Sequence, residues 1–185
     1  MAKKYSEYSD IELYNLILEN KSCKELAFAE LYNRYSRKIY FYCFRIIGNQ
    51  QQAEDAFQET FLNFLQSMNR DRVMTNVGGF ILRIARNICH KHIRDTKKPV
   101  VSINDIDLSF NDESLEKKEL ASMVVASLEL LSEEQRESLI LQVYYDMSYA
   151  EIAEFLGVPV STVRNWIVRS KRKVSKILAP YFERT

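Results

Sequence analysis

Arg164, Asn165 and Arg169 fall on one stretch whose other polar residues are Ser161 and Thr162. A guanidinium can donate to both acceptors on a guanine edge, and a carboxamide can pair in the same two-pronged way with adenine. Lys171, Arg172 and Lys173, with Lys176 beyond them, continue the positive charge and suit phosphate oxygens. This is the chemistry of recognition rather than of bond breaking. No carboxylate cluster, phosphate-cradling glycine loop or nucleophile–base pair accompanies it, so the chain is not expected to be an enzyme, and no catalytic residue, metal or cofactor is expected. His90 and His92 are two residues apart and lie on different sides of a helix, which argues against a metal site.

Such residues need a rigid support, and the surrounding sequence, YAEIAEFLGVPVSTVRNWIVRS from Tyr149, supplies one. Ala153 is small enough for two helices to cross closely. Gly157, four residues on, suits a tight turn of positive φ. Val163, six further, anchors the second helix to the first, while Ile152, Leu156, Val158 and Trp166 fill the remaining inward positions. Pro159 fits the start of the second helix, where a missing N–H costs little. This is the spacing of a helix-turn-helix, an element that docks on double-stranded DNA. Ser148–Glu151 and, before it, Ser132–Gln135 have the form of capping boxes, marking helix starts near 149 and 133.

A second cationic stretch lies far from the first. Residues 83–98 hold six basic side chains (Arg83, Arg86, Lys91, Arg94, Lys97, Lys98) against Asp95 alone, and Arg83, Asn87, His90 and Arg94 share one helical face. Residues 102–119 hold six acidic side chains against two basic ones, so the net charge of +1 conceals two positive blocks with a negative stretch between them. Segregation of this kind suits a polyanionic ligand.

The rest of the chain reads as helix. Its 185 residues are 46% hydrophobic, with only 4 Gly and 3 Pro, too few for the turns of a strand-rich fold. Ser9 and Asp10 cap a first helix carrying Ile11, Leu13, Leu16 and Ile17. A second spans about 24–47 with Phe28, Leu31, Tyr35, Ile39, Tyr42 and Ile46 inward, and ends at Gly48. Asn49 caps a third, about 50–68, with Ala53, Phe57, Phe61, Phe64 and Leu65 inward. A polar loop, Asn69 to Asn76, and the pair Gly78–Gly79 precede a fourth from about Phe80 to Thr96, with Ile81, Ile84, Ala85 and Ile88 inward. Residues 99–113 show no helical period and read as a linker. A helix of about 114–130 follows, bearing Leu120, Met123, Val124, Ser127, Leu128 and Leu131 on one side. Cys43 and Cys89 sit in apolar helical contexts as small core residues; three widely spaced Cys make no disulfide framework. No apolar run has the length of a membrane span and the N-terminus lacks the apolar core of a signal peptide, so a cytoplasmic protein without membrane insertion is expected. The expected fold is all-α, with two small helical domains at 1–97 and 118–185 and a flexible acidic linker at 98–117.

Taken over about residues 11–178, the chain resembles the extracytoplasmic-function (group 4) class of bacterial sigma-70 factors. The first half is similar to sigma region 2 through Ala53-Glu54-Asp55, Gln58-Glu59-Thr60-Phe61 and Gly79 to Asn87, and the second half to sigma region 4 through Tyr149 to Val174. The resemblance implies a transcription initiation factor with core RNA polymerase and promoter DNA as partners. It implies that Asp55, Gln58, Glu59, Phe61 and Leu62 meet the β′ clamp helices, that region 4 meets the β flap, and that an anti-sigma factor holds the protein inactive. It further implies that Asn69, Arg70, Arg72, Asn76, Phe80, Arg83, Arg86, Asn87 and Arg94 hold the melted minus-ten strand. Ser161, Thr162, Arg164, Asn165, Arg169, Lys171, Arg172 and Lys173 would bind the minus-thirty-five element. The competing reading is a dimeric helix-turn-helix regulator, which predicts symmetric duplex sites bound without polymerase; the sigma reading predicts a monomer.

Overall fold

The computed structural model describes residues 4–19, 23–69, 73–96 and 115–182. Arg70 and Arg72, Lys97 and Lys98, and the linker as far as residue 114 lie outside the described residues. The chain divides into two compact units, Met1–Val101 and Ser102–Thr185. Among the described residues every regular element is helical, as expected.

The first unit contains α1 (Asp10–Glu19), α2 (Lys24–Ile47), α3 (Gln50–Gln66) and α4 (Val77–Thr96), preceded by a single 3₁₀ turn at Tyr5–Glu7. Ser9 begins α1: its hydroxyl accepts from the Glu12 N–H at 3.2 Å, and the Glu12 carboxylate accepts from the Ser9 N–H at 2.6 Å. Asp10 is therefore the first helical residue rather than a cap. Gly48 ends α2 in the left-handed region at φ 76°, and Asn49 caps α3 through the Gln52 N–H. The four helices pack on one another around Leu13, Tyr14, Leu31, Ile39, Tyr42, Cys43, Phe64, Ile81, Ala85 and Cys89. Each large apolar side chain removed from water in this way contributes ~1.5–3 kcal/mol.

The second unit contains α5 (Leu115–Glu129), α6 (Glu133–Tyr144), α7 (Tyr149–Leu156) and α8 (Val160–Phe182). The residues 115–117 assigned to the linker already belong to α5. Helix α8 packs against α5, α6 and α7. Both expected capping boxes are formed, Ser132 with Gln135 and Ser148 with Glu151. Arg136 closes the C-terminus of α5, its guanidinium donating to the carbonyls of Leu128 (3.1 Å), Glu129 (3.3 Å) and Leu131 (3.5 Å). Burial lowers the Arg136 pKa, but the last carbonyls of a helix carry partial negative charge and favour a cation there. The inward side of α5 differs from expectation. Val125 is buried beside Ser127, whereas Met123, Val124 and Leu128 are half-buried.

Candidate nucleic-acid interface

The helix-turn-helix is built from α7 and α8. Ala153 and Ile152 are buried on α7 and Val163 on α8. Gly157 turns the chain at φ 70°, its N–H and that of Val158 both reaching the Ala153 carbonyl. An added Cβ would meet nothing within 4 Å, so glycine is needed here for its backbone conformation and not for space. Pro159 stands just before the helix, its carbonyl accepting from Thr162 and Val163. The hydroxyl of Ser170, fully buried, donates to the Trp166 carbonyl at 2.7 Å and reaches the Gln135 carbonyl of α6 at 3.2 Å, which fixes α8 against its support. Trp166, Leu156 and Val158 are half-buried rather than enclosed.

These contacts leave Ser161, Arg164, Asn165, Arg169, Lys171 and Arg172 exposed on α8, with Thr162 half-buried. Lys173 is exposed too, but its ammonium donates to the Leu130 carbonyl of its own unit, so it is a tether as well as a charge. Val168, 46% exposed, sits one turn beyond Arg164 on this polar face. An aliphatic group there can meet a thymine methyl. Sequence reasoning passed over it; the available signal was an apolar residue spaced with Arg164 and Arg172 rather than with Val163 and Ile167.

The second cationic face lies on α4. Arg83, Asn87, Lys91 and Arg94 are exposed along it, while Arg86 and His90 are half-buried. Arg94 has Asp95 3.7 Å away with both side chains mostly in water, a pairing worth little. The helix starts at Val77, three residues earlier than expected, and Gly78–Gly79 are inside its first turn. The cause is Asn76, whose side-chain Oδ1 accepts from the Gly79 N–H at 2.7 Å and whose carbonyl accepts from Phe80. Asn76 is thus an N-cap, its side-chain oxygen engaged by the helix's own backbone. Phe80 is half-buried, its ring set edge-on to Phe64 at 6.1 Å. Asn69 is exposed at the far end of the same loop.

On α3, Asp55, Gln58 and Leu62 point outward, Leu62 at 58% exposure. Glu59 is half-buried and lies 3.4 Å from His92 Nε2 on α4. Phe61 does not belong with them. It is 4% exposed and packs against Phe28, Phe57 and, at 4.8 Å between ring centres, Tyr32. The period of an aromatic stripe shared by α2 and α3 turns Phe61 inward, so it supports the polar edge from beneath. Phe57, Phe28 and Tyr35, read as inward, are half-buried, and Ala56 and Thr60 take the core positions beside them. Cys43 and Cys89 are both fully buried. Among the described residues, no group of three or more His, Cys, Asp or Glu could hold a metal ion, and no helix is long and apolar enough to cross a membrane.

Two family models match the chain, sigma-70 region 2 over residues 31–98 and sigma-70 region 4 over residues 122–174. The extracytoplasmic-function RNA polymerase sigma factor SigW of Bacillus subtilis is 28% identical over 166 residues, covering 82% of this chain and 89% of SigW. The RNA polymerase sigma-H factor of Pseudomonas aeruginosa is 27% identical over 168 residues, covering 83% and 87%. Among solved structures, the sigma factor RpoE of Bartonella quintana, crystallised with the anti-sigma factor NepR, shares the fold with a TM-score of 0.69 at 18% identity, over 82% of this chain and 96% of that one. CnrH, solved with the cytosolic domain of CnrY, does so with a TM-score of 0.66 at 21% identity, over 92% and 97%. Each cationic face thus lies within a matched region, and the chain belongs to the sigma-70 family, in its extracytoplasmic-function class.

Proposed function

We propose that the protein brings core RNA polymerase to specific promoters, reading the upstream duplex with α8 and capturing the melted minus-ten strand along α4. The observation that carries this reading is the pair of exposed cationic helical faces in one chain, each within a region matched by a sigma-70 model. Arg164, Asn165 and Arg169, with Val168 among them, are the base-reading set; Ser161, Lys171 and Arg172 are suited to phosphates. Arg83, Asn87, Lys91 and Arg94 face the strand and its adjoining duplex. Phe80 contributes the exposed part of its ring as a stacking surface.

Each contact alone is weak. Held together on the polymerase, the second binding event becomes effectively intramolecular, and modest contacts add up to selective binding. Strand opening requires no nucleotide hydrolysis where captured bases offset the stacking they lose. The outward edge of α3, Asp55, Gln58 and Leu62 with Glu59 beside them, is assigned to the β′ clamp helices: an apolar centre within a polar rim is what a helical partner needs. The second unit meets the β flap. The protein works in the cytoplasm alongside the polymerase, as a monomer when free. The RpoE–NepR pair supports an anti-sigma factor as its regulator.

Run-off transcription with purified core polymerase tests the proposal. Specific transcripts from a subset of genomic promoters are expected on adding the protein. Absence of stimulation on every promoter, in a preparation that binds core, would sink it.

A further inference from the structure

We propose that α1 is a brace for minus-ten recognition: Asp10 and Tyr14, one turn apart on it, fix the two ends of the segment that leads into α4, with Tyr35 as the intermediate at the α4 end. The inference rests on the assignment of α4 to the minus-ten strand and adds three positioning residues that do not touch DNA.

At the first end, the Tyr14 ring is fully buried and its hydroxyl lies 3.4 Å from the Asn69 nitrogen and 3.5 Å from the Asn69 carbonyl. Those distances are long for hydrogen bonds, so each is a weak tie, made from a ring that is itself held beside Phe64 at 6.3 Å. At the second end, the Tyr35 hydroxyl donates to one carboxylate oxygen of Asp10. The other oxygen accepts from Arg34 Nη1 at 2.7 Å, and Arg34 is itself held by Glu30 at 2.8 Å. Burial, and then the neighbouring Asp10 carboxylate, raise the Tyr35 pKa, so the phenol stays a donor.

The Tyr35 ring lies against Gly78 in the first turn of α4. A Cβ at Gly78 would stand 2.6 Å from Tyr35 Cε1 and 2.9 Å from its Cζ. Gly78 is not among the residues of positive φ. Glycine is therefore present for room and not for an unusual backbone: the ring and the helix start are in direct steric contact, and moving one moves the other. Glycine is a poor helix former, and two of them here leave this turn dependent on its neighbours for order. The Asn76 cap, Phe80 and the cationic face beyond all inherit their placement from it.

The test uses the full chain with core polymerase on promoters that share one upstream element and differ by single bases in the minus-ten element, with open complex read by permanganate reactivity. Gly78→Ala is expected to reduce opening roughly five- to a hundredfold, the range of an overpacked contact, and to flatten discrimination among the bases. Core affinity stays at the parental level. Adding Tyr35→Leu to Gly78→Ala, which shortens the opposing side chain, relieves the clash and restores part of the opening, while discrimination stays flattened because the bond to Asp10 is gone. Tyr35→Phe and Tyr14→Phe keep the rings and fold as the parent does; each loses roughly two- to tenfold in discrimination, the scale of one hydrogen bond or less. Parental discrimination in Gly78→Ala or in the double variant, or an opening defect of Gly78→Ala that Tyr35→Leu leaves untouched, overturns the brace. Should Gly78→Ala not fold, parental discrimination in both Phe variants overturns it. A parental holoenzyme indifferent to minus-ten bases would instead remove the assignment of α4 itself.

Discussion

The cationic face of α8 is aimed largely by its close neighbours in the chain, whereas the aiming of the face of α4 is assigned in good part to residues half a domain away. For α8 the Ser148–Glu151 box, the left-handed Gly157 and the Pro159 carbonyl set the hairpin within one short stretch, and the Ser170 contact with the Gln135 carbonyl of α6 seats it from 35 residues away. For α4 the assigned residues are Asp10, Tyr14 and Tyr35, with 55 residues separating Tyr14 from the Asn69 backbone it meets. A duplex-reading helix needs one rigid orientation in a groove, which a local motif provides. A surface proposed to take bases out of the stack needs its approach fixed as well, and beside the local Asn76 cap the contacts of Tyr14 and Tyr35 supply that.

Four changes sharpen or break that contrast. The largest effect is expected from Phe64→Ala. Phe64 is fully buried between Tyr14 and Phe80, and the substitution should cost the first unit ~3–5 kcal/mol. Thermal unfolding followed by amide exchange should show the loss in residues 10–96 and leave α7 and α8 protected; equal loss in α8 would mean its support is not local. Arg164→Ala should come next, reducing discrimination at one upstream base pair by ~1–3 kcal/mol in a binding titration across base variants. A uniform loss on all sequences would turn Arg164 into a phosphate contact.

Gly157→Ala should destabilise the second unit by ~1–2 kcal/mol, the cost of a Cβ in left-handed backbone, without any steric clash. Chemical denaturation of the second unit measures it, and an unchanged midpoint would show that the turn is not held at that φ. The smallest effect concerns pH. Hydrogen bonding to Ser148 holds the Glu151 carboxyl below the usual carboxylate range. A depressed folded-state pKa adds stability above the ordinary carboxylate range, and that increment disappears as pH falls through the folded value. Glu151→Gln keeps an oxygen for the Ser148 N–H and removes the titrating group. The second unit of this variant should therefore show a flatter acid limb of melting temperature against pH; an unchanged limb would place the titration elsewhere.

How much of this was legible in the sequence follows the same division. Ser132, Ser148 and Gly157 announce α6, α7 and the turn into α8 because each acts on backbone within a few residues of itself, and Val163 marks α8 by packing onto the helix just before it. Asn49 and Gly48 do the same for the junction of α2 and α3. Gly78–Gly79 misled, since a glycine pair after a polar loop signals a turn, and nothing nearby discloses that Tyr35 occupies the missing Cβ space. Asn76 followed from the same error: once the helix starts at Val77, its carboxamide is the cap. Phe61 stood under two expectations: helical period turned it inward, which its burial bears out, whereas the resemblance set it among the polymerase contacts. The exposed sets Arg164–Asn165–Arg169 and Arg83–Asn87–Arg94 were legible because charge and helical period agree on where they must point.

The two glycines that open α4 also bear on the order in which the chain acquires its structure. α7 and α8 can form and dock from contacts a few residues apart, so the hairpin is within reach early in folding. The first turn of α4 has little helical tendency of its own and waits for α1 and α2 to arrive across a long loop, a search whose entropic cost slows it. The start of α4 should accordingly be among the last parts to settle and the first to open, with amide exchange at Phe80 and Ile81 running ahead of that at Val163 and Ile167.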